Sequence, residues 1–174
     1  MFYDGEMLTT FANQNADEAI NIYGFTLGFQ STICGFNINK DINVINYKNY
    51  NLNAGPFAHI PPMFGKLEVV KYYNAWSARL LCLYSGTKNA NTFDNSGTDN
   101  LDETPIIGED ELGNTLYAGL PAWYTLNFNI KYSFLDNSSI QIGVDNILDA
   151  HYKTFGSGLS APGRNIIFSL DYRF

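Results

Sequence analysis

Charge is scarce in this chain. Asp, Glu, Lys and Arg together make up 16% of its 174 residues, where a soluble domain carries about a quarter. What charge there is leans acidic, at net -7 with an isoelectric point near 4.6, which argues against nucleic acid as a partner. Cysteine is nearly absent: Cys34 and Cys82 are too few and too far apart for a metal-knuckle spacing. With Cys34 expected in a turn and Cys82 within a strand, a disulfide is not expected, because paired Cα atoms must lie within about 7 Å. Long apolar runs are missing, none approaching the roughly 18 residues of a membrane helix. The opening M-F-Y-D-G-E-M-L-T-T has no basic region followed by an apolar core, so it is not a secretory signal. No nucleophile, base and orienting group cluster together, and there is no phosphate loop or zinc spacing. An enzyme is therefore not expected, nor a cofactor.

What the chain has instead is aromatic residues, 16% of the total, placed in alternation. In the last twelve residues, G-R-N-I-I-F-S-L-D-Y-R-F, the side chains of Ile166, Phe168, Leu170, Tyr172 and Phe174 are apolar. Between them stand Asn165, Ser169, Asp171 and Arg173, with Ile167 the exception. Strand side chains alternate faces with period two, so this segment reads as a ribbon with one apolar and one polar face. Tyr124, Leu126, Phe128, Ile130, Tyr132 and Phe134 alternate in the same way with Thr125, Asn127, Asn129, Lys131 and Ser133, over the length that a tilted strand needs to cross a bilayer. Ile140, Ile142 and Val144 follow the pattern. Lys131, Asp145 and Asp171 on the polar face suit a watery lumen better than a sandwich core.

Read in order, the chain predicts a loop over 1–18 and then strands over Ala19–Ser31, Phe36–Tyr47, Gly65–Tyr73 and Trp76–Ser85. The facing of the third is ambiguous because Val69 and Val70 are adjacent. The three strands already described complete a set of about seven. Long connections (48–63, 86–120 and 149–162) alternate with tight turns near Cys34, Asn74 and Asp136. That alternation is expected of an up-and-down barrel, whose short turns face the periplasm and whose long loops face outward. The expected fold class is thus all-β: an antiparallel meander of transmembrane strands in contact with outer-membrane lipid. A passive porin-like barrel and a soluble secreted β-sandwich binding module stay open as alternatives.

Three groups of residues resemble one family. They are V-D-N-I-L-D-A-H-Y (Val144 to Tyr152) with G-S-G (Gly156 to Gly158) and A-P-G-R-N (Ala161 to Asn165); N-A-D-E-A-I-N-I-Y-G-F (Asn15 to Phe25); and H-I-P-P (His59 to Pro62). In this order they resemble segments of TonB-dependent outer-membrane receptors, and the last strand resembles that class's C-terminal assembly signal. The resemblance implies a barrel of about twenty-two strands around an N-terminal plug. Such a receptor imports scarce nutrients, such as iron chelates, cobalamin or glycans, with energy passed from the inner membrane. Residues 19–174 would be its C-terminal third, in the bacterial outer membrane, with the plug and the remaining strands missing and TonB engaged only through the missing part. The implied assembly residues, offered to the barrel-assembly machinery, are Phe168, Leu170, Tyr172 and Phe174. The family-motif residues are Asn146, Asp149, Tyr152, Gly163 and Arg164.

The remaining candidates have plain readings. His59 and His151 fall in expected outer loops, where lone histidines are usually solvated. Asp94, Asp99, Asp102, Glu103, Glu109, Asp110 and Glu111 crowd the longest loop without the fixed spacing of a calcium loop, and read as a mobile solvated segment. Asn146 and Asp149 are expected to bond local backbone and stop the ladder. Arg164 and Arg173 are expected on the polar face, paired with lumen carboxylates or plug groups.

Overall fold

A computed structural model describes residues 19–50, 55–95 and 97–173, together with the backbone of Phe2–Tyr3 and Glu6–Met7. Seven long strands form one antiparallel sheet: β1 (Ile20–Ile33), β2 (Phe36–Asn49), β3 (Phe64–Tyr73), β4 (Trp76–Ser85), β5 (Trp123–Leu135), β6 (Ser138–Asp145) and β7 (Asn165–Tyr172). Their order in the sheet is their order in the sequence. The up-and-down meander is therefore correct, with β1 and β2 two residues longer at their far ends than the alternation suggested. The extra pairing, Ile33 with Phe36 and Ile20 with Asn49, leaves Cys34–Gly35 alone in the turn. Both have positive φ, 51° and 72°, as a type I′ hairpin turn requires. Within the stretch expected to be loop, Phe2–Tyr3 pairs with Glu6–Met7; the rest of 1–18 lies outside the described residues.

Register sorts the side chains. One continuous face carries Phe25, Leu27 and Phe29 of β1, Ile38 and Ile42 of β2, Leu67 and Val69 of β3, and Leu80 and Cys82 of β4. It continues through Leu126, Phe128 and Ile130, then Ile140 and Ile142, and ends on Phe168 and Leu170. The ambiguity in β3 resolves by pairing: Val69 opposes Leu80 on this face and Val70 opposes Arg79 on the other. On that polar face, neighbouring strands satisfy one another. Thr26 donates to Asn43 at 2.7 Å and Thr32 to Asn37 at 2.9 Å. Lys66 pairs with Asp41 at 3.6 Å, and Arg79 with Glu68. Arg173 follows β7 in the polar register; Arg164 stands one residue ahead of β7, in the register of Ile166 and Phe168, not that of the polar face.

The location of the core decides between architectures. Among the described residues only Ile60, Phe93 and Leu120 are buried apolar side chains, and none belongs to a long strand. Phe168, Leu170 and Tyr172 remain 65%, 65% and 60% exposed, and Phe174 lies outside the described residues. A β-sandwich hides its apolar stripes between two sheets; this sheet presents its stripe to the surroundings. The soluble-sandwich alternative therefore fails for want of a core.

One joint ties three strands together. The Tyr84 phenol of β4 crosses Gly65 of β3 and donates to the Asp41 carbonyl of β2 at 2.9 Å. A Cβ on Gly65 would come within 2.1 Å of that carbonyl oxygen and 2.6 Å of the phenol oxygen, so only glycine allows the crossing.

Candidate functional site

The three long connections all lie at one end of the sheet, opposite the turns at 34–35, 74–75 and 136–137. The longest is not a featureless loop. Lys88–Asn89 pairs with Gly119–Leu120 at its base, Ile106–Glu109 pairs with Thr115–Tyr117 further out, and single turns form at Ala90–Thr92 and Leu101–Glu103. Gly119 has φ +81°, and a Cβ there would meet the Lys88 carbonyl at 2.2 Å, so the base closes only on glycine.

This base holds Lys88, which the sequence reading passed over. Its side chain is 5% exposed and donates to the Ile60 carbonyl at 2.6 Å. The ammonium lies 5.1 Å from the Phe93 ring centre, 4.6 Å from that of Phe155 and 3.7 Å from Asp99 Oδ2. Burial lowers the Lys88 pKa from its ordinary value, while Asp99 and Asp94 pull the other way. Asp99 accepts the His59 backbone N–H at 2.9 Å, and Asp94 accepts the Asp99 N–H at 3.0 Å. One ammonium thus gathers residues from all three long connections. The expectation of a wholly solvated acidic loop is corrected here: Asp94 and Asp99 are buried because a cation and backbone donors meet them. The available clue was that Lys88 is the one cation among the seven carboxylates of 86–120.

The motif residues at 146–164 form a second knot. Asn146, 4% exposed with φ 48°, takes part in five hydrogen bonds, one of them accepted by its carbonyl from the Asp149 backbone N–H at 2.8 Å. Its backbone N–H donates to Asn127 at 2.9 Å, and its amide donates to the carbonyls of Ala150 at 2.9 Å and Pro162 at 3.2 Å. Its side-chain oxygen accepts the Ala150 N–H at 2.9 Å. Asp149 accepts the Arg164 backbone N–H at 2.8 Å, directly over Gly163, where a Cβ would sit 2.8 Å from that carboxylate. Tyr152 packs against Trp123 with ring centres 4.2 Å apart and planes tilted by 34°. Asn146, Asp149, Gly163 and Arg164 are therefore brought together by backbone bonding, and Tyr152 is carried to the neighbouring strand end.

Below this knot the polar face holds a hollow of about 680 Å³, bordered by Arg79, Asn127, Gln141, Asp145 and Asn165. Beside it a smaller cleft of about 330 Å³ lies among Pro105, Trp123, His151 and Tyr152. His59 has its Nδ1 3.2 Å from Asp99, whereas His151 lines the cleft. No group of three His, Cys, Asp or Glu able to hold a metal ion occurs among the described residues. Amides, one guanidinium and aromatic faces can hold a polar molecule by hydrogen bonds and stacking; they offer no activated nucleophile.

No family model matches the chain, and no curated protein matches it. Solved structures do. A structure named "Copper transporter OprC" superposes with a TM-score of 0.67 at 19% identity, over 89% of this chain and 23% of that one. The siderophore receptor PiuA from Acinetobacter baumannii matches with a TM-score of 0.57 at 14% identity, over 88% of this chain and 22% of that one. The FpvAI–pyocin S2 complex matches with a TM-score of 0.60 at 10% identity, over 88% of this chain and 19% of that one. All three receptors are TonB-dependent. This chain has the fold of their barrel wall. It spans about a fifth of the length of these receptors, which are transporters and receptors rather than enzymes.

Proposed function

We propose that this chain is the C-terminal barrel segment of an outer-membrane transporter that imports a scarce nutrient with energy delivered through TonB. The observation that carries the reading is the sheet's exposed apolar stripe: seven adjacent strands bury no apolar side chain among the described residues. A bilayer is the solvent in which such a face is stable. On this reading the rest of the barrel pairs with the free edges of β1 and β7, a plug fills the polar side, and TonB acts through that plug. The barrel-assembly machinery reads Phe168, Leu170, Tyr172 and Phe174. The aromatic cleft and the amide-lined hollow suit a metal chelate, the cargo class suggested by the copper transporter and the siderophore receptor among the structural neighbours.

The test is uptake by cells of the transporter carrying this segment, with radiolabelled copper or ferric chelates as probes. Uptake should saturate and should stop when TonB is deleted. Uptake that persists without TonB would identify a passive porin instead, and a protein that stays soluble without detergent would overturn the membrane reading itself.

A further inference from the structure

The charges on the seven strands are divided between faces in an uneven way. The polar face carries both signs: Asp41, Lys66, Glu68, Arg79, Lys131, Asp145 and Asp171. The apolar face carries Lys40, Lys48 and Lys71, all on β2 and β3, and no carboxylate among the described residues. In a chain of net charge -7, this one-sign placement on the apolar face calls for an anion from outside the protein.

Two of the three stand in the half of the sheet that ends in short turns. Lys40 opposes Leu67 and Phe29 in register; Lys71 opposes Phe36, one residue past the Cys34–Gly35 turn. The Lys71 ammonium donates to the Cys34 carbonyl at 3.0 Å and lies 4.5 Å from the centre of the Phe36 ring. That leaves two of its three N–H donors for another acceptor. Lys40 is exposed, and its four-carbon stem is long enough to carry its ammonium along the apolar surface toward the polar boundary. Aromatic residues mark that boundary: Tyr73 opposes Trp76, and Trp76 stacks on Tyr132 at 4.3 Å between ring centres. Aromatic rings favour the depth of lipid headgroups.

We propose that Lys71, beside Phe36, binds the phosphate of an anionic glycerophospholipid in the leaflet next to the short turns, with Lys40, four residues further along β2, adding its charge. The phosphate takes the free donors of Lys71 and is drawn by the charge of Lys40, while the acyl chains lie against Leu67, Val69 and Ile38. The site rests on the membrane reading given above. Charge complementarity selects its occupant, since the apolar face offers only cations and the headgroup supplies the missing anion.

Trp76 provides a reporter, because it lies on β4 diagonally across from Lys71 on the same face. The intact transporter is reconstituted in phosphatidylcholine bilayers containing a small fraction of lipid brominated on its acyl chains, either phosphatidylglycerol or phosphatidylcholine. The quenching assigned to Trp76 is the part lost in Trp76→Phe. Brominated phosphatidylglycerol should quench it more efficiently than brominated phosphatidylcholine, by about fivefold for each lysine engaged. Lys40→Gln with Lys71→Gln should abolish the preference, and Lys131→Gln on the opposite face should leave it intact. Heat-modifiable migration confirms that each variant is folded. Equal quenching by the two lipids, or a preference that survives in the double variant, overturns the site while leaving the membrane reading standing. No quenching by either lipid overturns the membrane reading and the site with it.

Discussion

The wall and the cap of this molecule solve opposite problems. In the wall, β1 to β7 turn an apolar stripe outward and keep hydrogen-bonded polar groups on the other face. In the cap, the long connections bury the apolar residues Ile60, Phe93 and Leu120 around one ammonium. On the proposed reading, water lies on the polar side of the wall and lipid on the other, so the wall needs no core. A cap standing in water must make its own, and 86–120 does so by folding back onto its neighbours. On that reading the local solvent, not the strand content, decides where hydrophobic residues go.

The first way to break this contrast is Lys88→Ala. It leaves Asp99 buried without its cation, at a cost of about 3–5 kcal/mol, and that cost should fall on the cap alone. Limited proteolysis should open 86–120 and 149–162 together, while the heat-modifiable migration of the barrel stays as in the parent. Loss of the folded band as well would mean that cap and wall are one cooperative unit.

Phe128→Arg and Asn129→Arg test the wall. Phe128 lies between Leu80 and Val144 on the apolar face, and a cation there costs about 2–4 kcal/mol at the bilayer midplane. Asn129 is opposite Arg79 on the polar face, where a like-charge neighbour costs under about 1 kcal/mol. The folded fraction in detergent should fall for the first and hold for the second. Equal behaviour would erase the distinction between the two faces.

Asn146→Ala probes where cap meets wall. Removing the amide leaves the Ala150 N–H and the Pro162 carbonyl without partners, a loss of about 1–3 kcal/mol. Amide hydrogen exchange should quicken over 146–164 and not over β2 and β3. Tyr84→Phe should have the smallest effect, about 0.5–1.5 kcal/mol for one hydrogen bond, seen as a lower denaturant midpoint for barrel unfolding with the cap's proteolytic pattern unchanged.

Most of the wall was legible in the sequence because a strand with different solvents on its two faces must alternate. Tyr124 to Phe134 is an unbroken example, and Trp76–Ser85 was placed to the residue. Val69 and Val70 defeated the alternation, and only pairing with β4 assigned them. The cap was not legible, because Lys88, Asp99, Phe93 and Phe155 come together through chain reversals that leave no period in sequence. The motif around Asn146 lay between these cases: its residues could be named, but Gly163 beneath Asp149 is a fact of three dimensions.

The phenol of Tyr84, lying across Gly65 to reach the backbone of β2, also bears on how such a wall could be laid down without error. A one-residue slip between strands turns every side chain to the wrong solvent and is rejected at once. A two-residue slip keeps each face correct, and hydrophobic alternation cannot detect it. Tyr84 can: shifted by two, its ring would land on Met63 or Leu67 instead of glycine, and a side chain would block the crossing. The joint thus distinguishes two arrangements that the apolar stripe treats as equal, and fits only the observed register of β2, β3 and β4.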